Sequence, residues 1–189
     1  MFLIETKRLK LRELNESDEK FLCDILSDRE TMQYYPAPYD IDAVRNSIKR
    51  TINSYQKNNF GLWGIILKDQ KKFIGQCGIT LQDIDGIIVP EIGYHVNKEY
   101  WNQDFATEAS AASLKYGFEK LNLNEIYIHT YIKNIPSQRV AEKLKMKRIK
   151  EYEKYIKEYN IYMKHVVYSM NLEHYNQVKI TLARYSVII

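Results

Sequence analysis

The sequence has little of what marks a membrane protein, a disulfide framework or a secreted chain. Although 45% of its 189 residues are hydrophobic, no apolar run approaches the roughly 18 residues of a membrane span. The two cysteines, Cys23 and Cys77, lie far apart without metal-ligand spacing, so we expect unpaired thiols. The apolar residues 1–4 meet charged residues at once, so we expect no signal peptide and a cytoplasmic location.

Metal and nucleic-acid binding also lack support in the sequence. The four histidines form no pair with the spacing of metal ligands, so we expect no metal site. The net charge of +4 is too small to indicate a nucleic-acid partner by itself. Glycine is scarce too, with seven residues, and it is absent from the stretch YWNQDFATEAS at residues 100–110.

The spacing of apolar residues predicts one domain of mixed α/β (α+β) structure without an internal repeat. Alternation predicts strands, and spacings of three and four predict helices. The predicted order βααβββαβαββ is typical of a mixed sheet flanked by helices. Strands are expected at about residues 9–14, 62–67, 73–81, 87–96, 125–131, 147–156 and 166–172, and helices at about 21–26, 41–55, 105–121 and 135–144.

The C-terminal residues 176–189 do not fit this order. Val178, Ile180 and Leu182 alternate with polar residues, and the chain ends on three apolar residues. An added edge strand, a strand that binds a partner and an unordered tail all remain open.

The stretch YWNQDFATEAS lies between a predicted strand and a helix that begins near Phe105. The first turn of a helix has N–H groups without helical acceptors, and the helix dipole favours negative charge there. Such an entrance suits a phosphate, and two adjacent phosphates suit it better. A plain strand–turn–helix junction is the alternative.

Four segments resemble the Gcn5-related N-acetyltransferases (GNAT), and more narrowly the Rim-type branch named for ribosomal-protein acetyltransferases. YWNQDFATEA at residues 100–109 is similar to that branch's acetyl-coenzyme-A-binding segment, Y-W-G-x-G-[YF]-A-T-E-A. The others, in the family's order and spacing, are ETKRLKLRELNESD at 5–18, PEIGYHV at 90–96 and NIPSQRVAEKLKM at 134–146. The resemblance spans about residues 5–175.

The resemblance implies a GNAT-like fold and an acetyl-CoA site. The sheet would have about seven mostly antiparallel strands with about four helices, and its central parallel strands, 88–96 and 125–131, would splay apart around the pantetheine. We therefore expect an N-acetyltransferase domain over residues 1–175 and a C-terminal extension over 176–189. The implied acetyl-CoA-binding residues are Ile92, Tyr94, His95, Val96, Trp101, Asn102, Gln103, Asp104, Phe105, Ala106, Thr107, Asn134, Ser137 and Arg139.

Three residues stand where the family usually has glycine. Asn102 and Asp104 lie in the phosphate-binding turn, and Lys145 ends the following helix segment. Asn and Asp enter left-handed backbone conformations most readily among non-glycine residues, so the shape of the turn can survive. An Asp carboxylate about 5 Å from a phosphate would cost roughly 1–3 kcal/mol, so we expect weakened rather than abolished binding.

The resemblance also implies the catalytic candidates. Glu91 is the candidate general base, acting through water, and a main-chain N–H near Tyr94 or His95 would stabilise the oxyanion. Many relatives place a tyrosine on the later helix to protonate the leaving thiolate, but here that position is Ala141. Ser137, one turn earlier, is the suggested substitute. For Glu91 the alternative is an ordinary solvent-facing carboxylate, and for Ser137 a hydroxyl that only contacts the cofactor.

The leading hypothesis is an acetyl-CoA-dependent transferase that moves an acetyl group directly to a primary amine within a ternary complex. The acceptor is a peptide N-terminus or a small amine, no metal, membrane or nucleic acid takes part, and a homodimer remains open. A non-catalytic acyl-CoA-binding protein with a degenerate phosphate turn is the alternative. An RNA-associated module using basic residues and tyrosines is a third reading without a supporting motif.

Overall fold

The computed structural model describes residues 2–185, and side chains from Ile4 onward. Eight strands and five α-helices are present in this part of the chain. The strands are β1 (Phe2–Glu5), β2 (Leu9–Glu13), β3 (Leu62–Leu67), β4 (Lys72–Ile84), β5 (Ile87–Val96), β6 (Glu125–Tyr131), β7 (Lys147–Ile156) and β8 (Ile161–Asn171), and the helices are α1 (Glu19–Leu26), α2 (Ile41–Asn58), α3 (Phe105–Glu119), α4 (Ile135–Lys143) and α5 (Leu172–Leu182).

All eight strands form one sheet in the order β1-β2-β3-β4-β5-β6-β8-β7. Neighbouring strands are antiparallel except β5 and β6, which run parallel. This confirms the mixed, mostly antiparallel sheet, with one more strand and one more helix than the sequence predicted. β1 was missed because four residues are too few to show a period.

The C-terminal segment folds as a helix, so the three readings offered for it are wrong within residues 176–185. The Asn171 side chain caps α5 by accepting a hydrogen bond of 2.8 Å from the His174 N–H. Tyr175 and Leu182 are buried and Val178 packs beside them, a spacing of three and four that marks a helix face. Ile180, which completed the alternating pattern, is 83% exposed. Residues 186–189 lie outside the described residues.

Helices cover the two faces of the sheet and bury two apolar cores. The larger core joins α3, α4 and α5 to strands on both sides of β5. Gly117 brings α3 close to the sheet, because a Cβ there would lie 2.5 Å from the Ile126 side chain. The smaller core joins α1 and α2 to β4 around Phe73. None of the helices within residues 2–185 is long and apolar enough to cross a membrane.

Candidate active site

The centre of the sheet opens where β5 and β6 diverge. β4 pairs with β5 from Ile84↔Ile87 to Gly75↔Val96, along the whole of β5. On its other side β5 pairs with β6 only at Glu91↔Tyr127. Residues 92–96 therefore keep an edge turned toward β6 that is not paired with that strand. This confirms the splayed parallel strands expected from the resemblance.

The turn that follows β5 keeps a glycine-like shape without glycine. Asn102 and Asp104 have φ values of 59° and 64°, which is the left-handed region that Asn and Asp tolerate best. The Trp101 indole N–H donates to the Val96 carbonyl over 2.8 Å and fixes the start of the turn. The two replacements therefore preserve the path of the backbone.

The N-terminus of α3, called the helix mouth below, presents main-chain N–H groups that no helical carbonyl accepts. Asp104 is the N-cap residue, and its side chain makes no capping hydrogen bond. The Glu108 N–H donates to the Asp104 carbonyl at 2.9 Å, so the N–H groups of Phe105, Ala106 and Thr107 precede the first helical bond. The side chains of Phe105 and Thr107 are buried, and these residues can therefore meet a ligand only through their main chain. The same holds for Ile92 and Val96 on β5.

Glu108 ties the opening segment of the chain to this helix mouth. Its buried carboxylate accepts hydrogen bonds from the Thr6 hydroxyl at 2.5 Å and from the Arg8 Nε at 2.6 Å. The Arg8 guanidinium also lies 4.3 Å above the centre of the Phe105 ring. Two of the segments that carried the family resemblance thus contact each other directly.

A basic cavity of about 800 Å³ borders the helix mouth. It is lined by six cationic residues and three acidic ones, which are Lys7, Arg8, Arg139, Lys143, Lys145 and Arg184 against Asp104, Glu108 and Glu142. The Asp104 carboxylate lies 2.5 Å from the Lys143 Nζ. The negative charge of Asp104, which was expected from the sequence to lie beside a phosphate, is therefore paired with a cation from α4.

Lys145 ends α4 in a left-handed conformation with a φ of 65°. The Lys145 N–H donates to the Glu142 carbonyl at 2.9 Å, and the Met146 N–H donates to the Ala141 carbonyl at 3.0 Å. These two bonds complete the helix-ending motif that usually contains glycine. Asn102, Asp104 and Lys145 thus all have the positive φ for which glycine is favoured.

A second pocket, of about 520 Å³, lies on the side of the sheet that carries Glu91. Its lining includes Tyr34, Tyr35, Tyr39, Arg50, Gln76, Glu91, Tyr94, His95, His129, Tyr131, Asn134, Lys154 and His165. Among these described residues Glu91 is the single carboxylate, whereas Arg50 and Lys154 supply two cations. The pocket therefore combines an aromatic wall with one acidic group.

Glu91 is buried, with 7% of its surface exposed. Its Oε1 lies 3.0 Å from the Nδ1 of His129 and 3.4 Å from the main-chain nitrogen of the same residue. A solvent-facing strand carboxylate, the alternative reading, does not describe this environment. His129 was missed by sequence reasoning, because its closeness to Glu91 depends on how β5 and β6 pair.

His95 shares the face of Glu91 but contacts other groups. Its Nε2 lies 2.9 Å from the Tyr35 hydroxyl, and its Nδ1 lies 3.2 Å from the Gln76 amide. Burial in the cleft lowers the pKa of His95 to about 4, so its ring is neutral at physiological pH. The first contact links the loop after α1 to β5, and the second links β5 to β4.

Ser137 lies at the start of α4, where it meets a tyrosine from β5. The Tyr94 hydroxyl is 2.8 Å from the Ser137 Oγ, and the Asn134 side chain caps α4 by accepting the Ser137 N–H at 3.1 Å. Ala141 is fully buried. Asn134 lines the Glu91 pocket, whereas Arg139 lines the basic cavity.

Within residues 4–185, no group of three or more His, Cys, Asp or Glu side chains is arranged to hold a metal ion. Cys23 and Cys77 are free thiols.

Comparison with known families identifies the class of the protein. Residues 8–147 match the family model described as Acetyltransferase (GNAT) domain. This match covers more than half of the chain, so the protein belongs to the GNAT family of acetyltransferases.

Individual relatives agree with this assignment. The chain is 32% identical to the uncharacterized N-acetyltransferase YnaD of Bacillus subtilis over 173 residues, which cover 92% of this chain and 99% of YnaD. A GNAT-family acetyltransferase structure from Bacillus anthracis shares 29% identity with a TM-score of 0.76, covering 92% of this chain and 99% of that one. A ribosomal-protein-S5-alanine acetyltransferase from Vibrio fischeri shares the fold at 17% identity, with a TM-score of 0.68 and coverage of 89% and 96%.

Proposed function

We propose that this protein is an acetyl-CoA-dependent N-acetyltransferase of the Rim-type branch, transferring the acetyl group directly to a primary amine. The observation that carries the proposal is the edge of β5 beyond Glu91, where the main chain is not paired with β6. This edge leads to the first turn of α3, which has no side-chain cap. Family membership supports acetyl-CoA as the co-substrate. The motifs at residues 100–109 and 134–146 support the narrower branch.

The residues around the splayed strands fit acetyl-CoA. The open main chain of residues 92–96 offers hydrogen-bonding groups to the two amides of pantetheine. The N–H groups of the 101–107 turn suit a pyrophosphate, since helix dipole and free donors act in the same direction. The 3′-phosphate of coenzyme A would pair with arginines of the basic cavity, which are Arg8, Arg139 and Arg184.

Transfer requires an uncharged amine next to the thioester carbonyl, and Glu91 is the group proposed to remove its proton. The carboxylate lies in the pocket at the last paired residue before the strands diverge. Holding amine and thioester together supplies much of the rate enhancement. A main-chain N–H near Tyr94 or His95 would stabilise the oxyanion.

The leaving thiolate needs a proton, and the hydroxyl pair of Tyr94 and Ser137 is the proposed source. The two oxygens lie 2.8 Å apart between β5 and α4. Ala141, which occupies the usual tyrosine position, has no polar group and is buried. Tyr94 is a candidate that the sequence offered only for its main chain.

The pocket also favours a class of acceptor. Arg50 from α2 and Lys154 from β7 line it together with Glu91. An acceptor with an anionic group besides its amine would match this arrangement better than a simple polyamine. Tyr34, Tyr35 and Tyr39 would pack against its apolar part.

Two experiments test the proposal in sequence. Calorimetric titration with acetyl-CoA should show binding that Ala106→Pro weakens. A thiol-release assay against amino acids, peptides and polyamines should then show turnover with an acceptor that carries an anion. Binding without release for any acceptor would favour the non-catalytic acyl-CoA-binding protein, and absence of binding would exclude both.

A further inference from the structure

Two buried side-chain atoms within residues 4–185 have no hydrogen-bond partner, and both lie in one cluster. They are the His129 Nδ1 and the Tyr152 hydroxyl oxygen. Buried polar atoms are nearly always satisfied, so an unsatisfied one requires an explanation. The centres of the His129 and Tyr152 rings are 6.2 Å apart, and His129 contacts Glu91.

The cluster is built by three neighbouring strands. His129 on β6 lies 5.3 Å from the ring of His165 on β8, and Tyr152 on β7 lies 5.8 Å from His165. Tyr131 packs on His165 from the side of β6. The titratable groups around His129 are therefore Glu91, Tyr131, Tyr152 and His165, with Lys154 farther along β7.

The contacts of His129 with Glu91 both fall on one carboxylate oxygen. The main-chain nitrogen and the ring Nδ1 approach Oε1 at 3.4 and 3.0 Å. Nδ1 lies close to Oε1 without forming a hydrogen bond to it. Catalytic hydrogen bonds are often misaligned before substrate binds. Oε2 is left without a contact from His129.

We propose that His129 is the positioning residue for the base Glu91, holding Oε1 so that Oε2 faces the acceptor amine. This inference rests on the proposed acetyltransferase function. In the step that follows, an N–H bond of the acceptor ammonium breaks and its electron pair stays on nitrogen, while a bridging water takes that proton and passes one of its own to Oε2, forming an Oε2–H bond. The proton then leaves Oε2 for water in the pocket, and the carboxylate is restored.

The neighbours of His129 suit this role. Burial lowers the pKa of His165 to about 4, so that ring is neutral at physiological pH and adds no positive charge. Burial also raises the pKa of Tyr152, so its hydroxyl keeps its proton. Neither ring therefore places a charge beside the His129–Glu91 contact.

Two substitutions at one position test the proposal. His129→Phe removes the ring donor and should lower kcat by about 10- to 100-fold. His129→Asn places an amide N–H near the position of Nδ1 and should restore most of that rate. The KM for acetyl-CoA should be the same in all three proteins, and thermal melting checks that the variants fold.

A kcat in His129→Phe equal to that of wild type would overturn the proposal. So would a loss of kcat in His129→Asn as large as in His129→Phe, since that indicates a packing role.

A second measurement needs no acceptor. The ¹⁵N shift of Nδ1 in wild type should report a protonated nitrogen, and Glu91→Leu should change it. An unchanged shift would exclude the contact. If the wild type binds acetyl-CoA but never releases thiol, the proposed function fails, whereas this measurement still decides the His129–Glu91 contact.

Discussion

The turn proposed to bind the pyrophosphate and the Glu91 pocket depend on different parts of the chain. At the turn, the groups available to a ligand are main-chain N–H donors, because the side chains of Phe105 and Thr107 are buried in the core. In the pocket, the useful groups are the side chains of Glu91 and His129, 3.0 Å apart. A main-chain site tolerates any residue that adopts the required φ, whereas a side-chain site requires particular atoms.

This difference explains how the turn survives without its glycines. Asn102 and Asp104 adopt φ values of 59° and 64°, and Lys143 pairs with the Asp104 carboxylate. Replacing the glycines that the family usually has at these positions therefore changes the stability and charge of the turn more than its shape. Nothing comparable compensates for a change at Glu91, which is the single carboxylate among the described residues lining its pocket.

The largest expected effect is at the side-chain site. Glu91→Gln keeps the size of the side chain but removes the base, and should lower kcat by about 100-fold or more. Its KM for acetyl-CoA should be unchanged, because the turn is untouched. Steady-state kinetics across pH measure both. A wild-type pH profile would remove Glu91 from the mechanism.

A main-chain change at the turn should have the opposite signature. Ala106→Pro removes one N–H in the first helical turn, where proline is tolerated. Hydrogen bonds to charged groups contribute about 1.5–3 kcal/mol, so acetyl-CoA affinity should fall by about 10- to 100-fold. Ala106→Gly, which keeps the N–H, is the control. Equal affinity in both variants, measured by calorimetry, would mean that this amide does not contact the pyrophosphate.

A smaller effect is expected from restoring glycine in the turn. Asp104→Gly removes a negative charge and frees Lys143, and should tighten acetyl-CoA binding by up to about tenfold. Asp104→Asn separates the two contributions, because it removes the charge while keeping a residue suited to the left-handed conformation. Unchanged or weaker binding in Asp104→Gly would show that the carboxylate does not act on the phosphates.

The smallest effect should appear in stability alone. Lys145→Gly relieves a left-handed non-glycine residue and should stabilise the fold by about 1 kcal/mol. In a domain of this size that raises Tm by roughly 2–4 °C. The control Lys145→Asn separates backbone relief from loss of charge in the basic cavity. A Tm equal to that of wild type would indicate that the motif already accommodates lysine without strain.

Much of the fold could be predicted because apolar periodicity is a local property of the sequence. The bounds of β3, β5, β6 and β7 agree with the predicted ranges. The elements that were missed lie at the two ends, where β1 is too short for a pattern and where α5 contains an alternating stretch. In addition, β4 (Lys72–Ile84) and β8 (Ile161–Asn171) are longer than the predicted ranges 73–81 and 166–172. In α5 the residues that pack into the core, Tyr175, Val178 and Leu182, follow helical spacing. The alternating pattern depended on Ile180, whose apolar side chain is exposed.

The parts of the candidate site that are continuous in the sequence could be predicted. The turn at residues 101–107 and the strand leading to Val96 are continuous segments, so motif and period locate them together. The separation of Arg139 from Asn134 into different cavities could not be predicted, because it depends on how α4 packs against α3 and β6. The Tyr94–Ser137 contact also joins residues 43 positions apart.

The amino-acid sequence was sufficient for the order of most elements, for the left-handed positions that replaced glycine and for the family, because these depend on local conformation and on short motifs. The folded chain was needed to show that Lys143 neutralises Asp104, that Glu108 holds Arg8 over the helix mouth, and that His129 contacts Glu91. Each of these contacts joins residues 38 or more positions apart. Side chains at such separations meet only when strand pairing and helix packing bring their elements together, and no local pattern encodes that geometry.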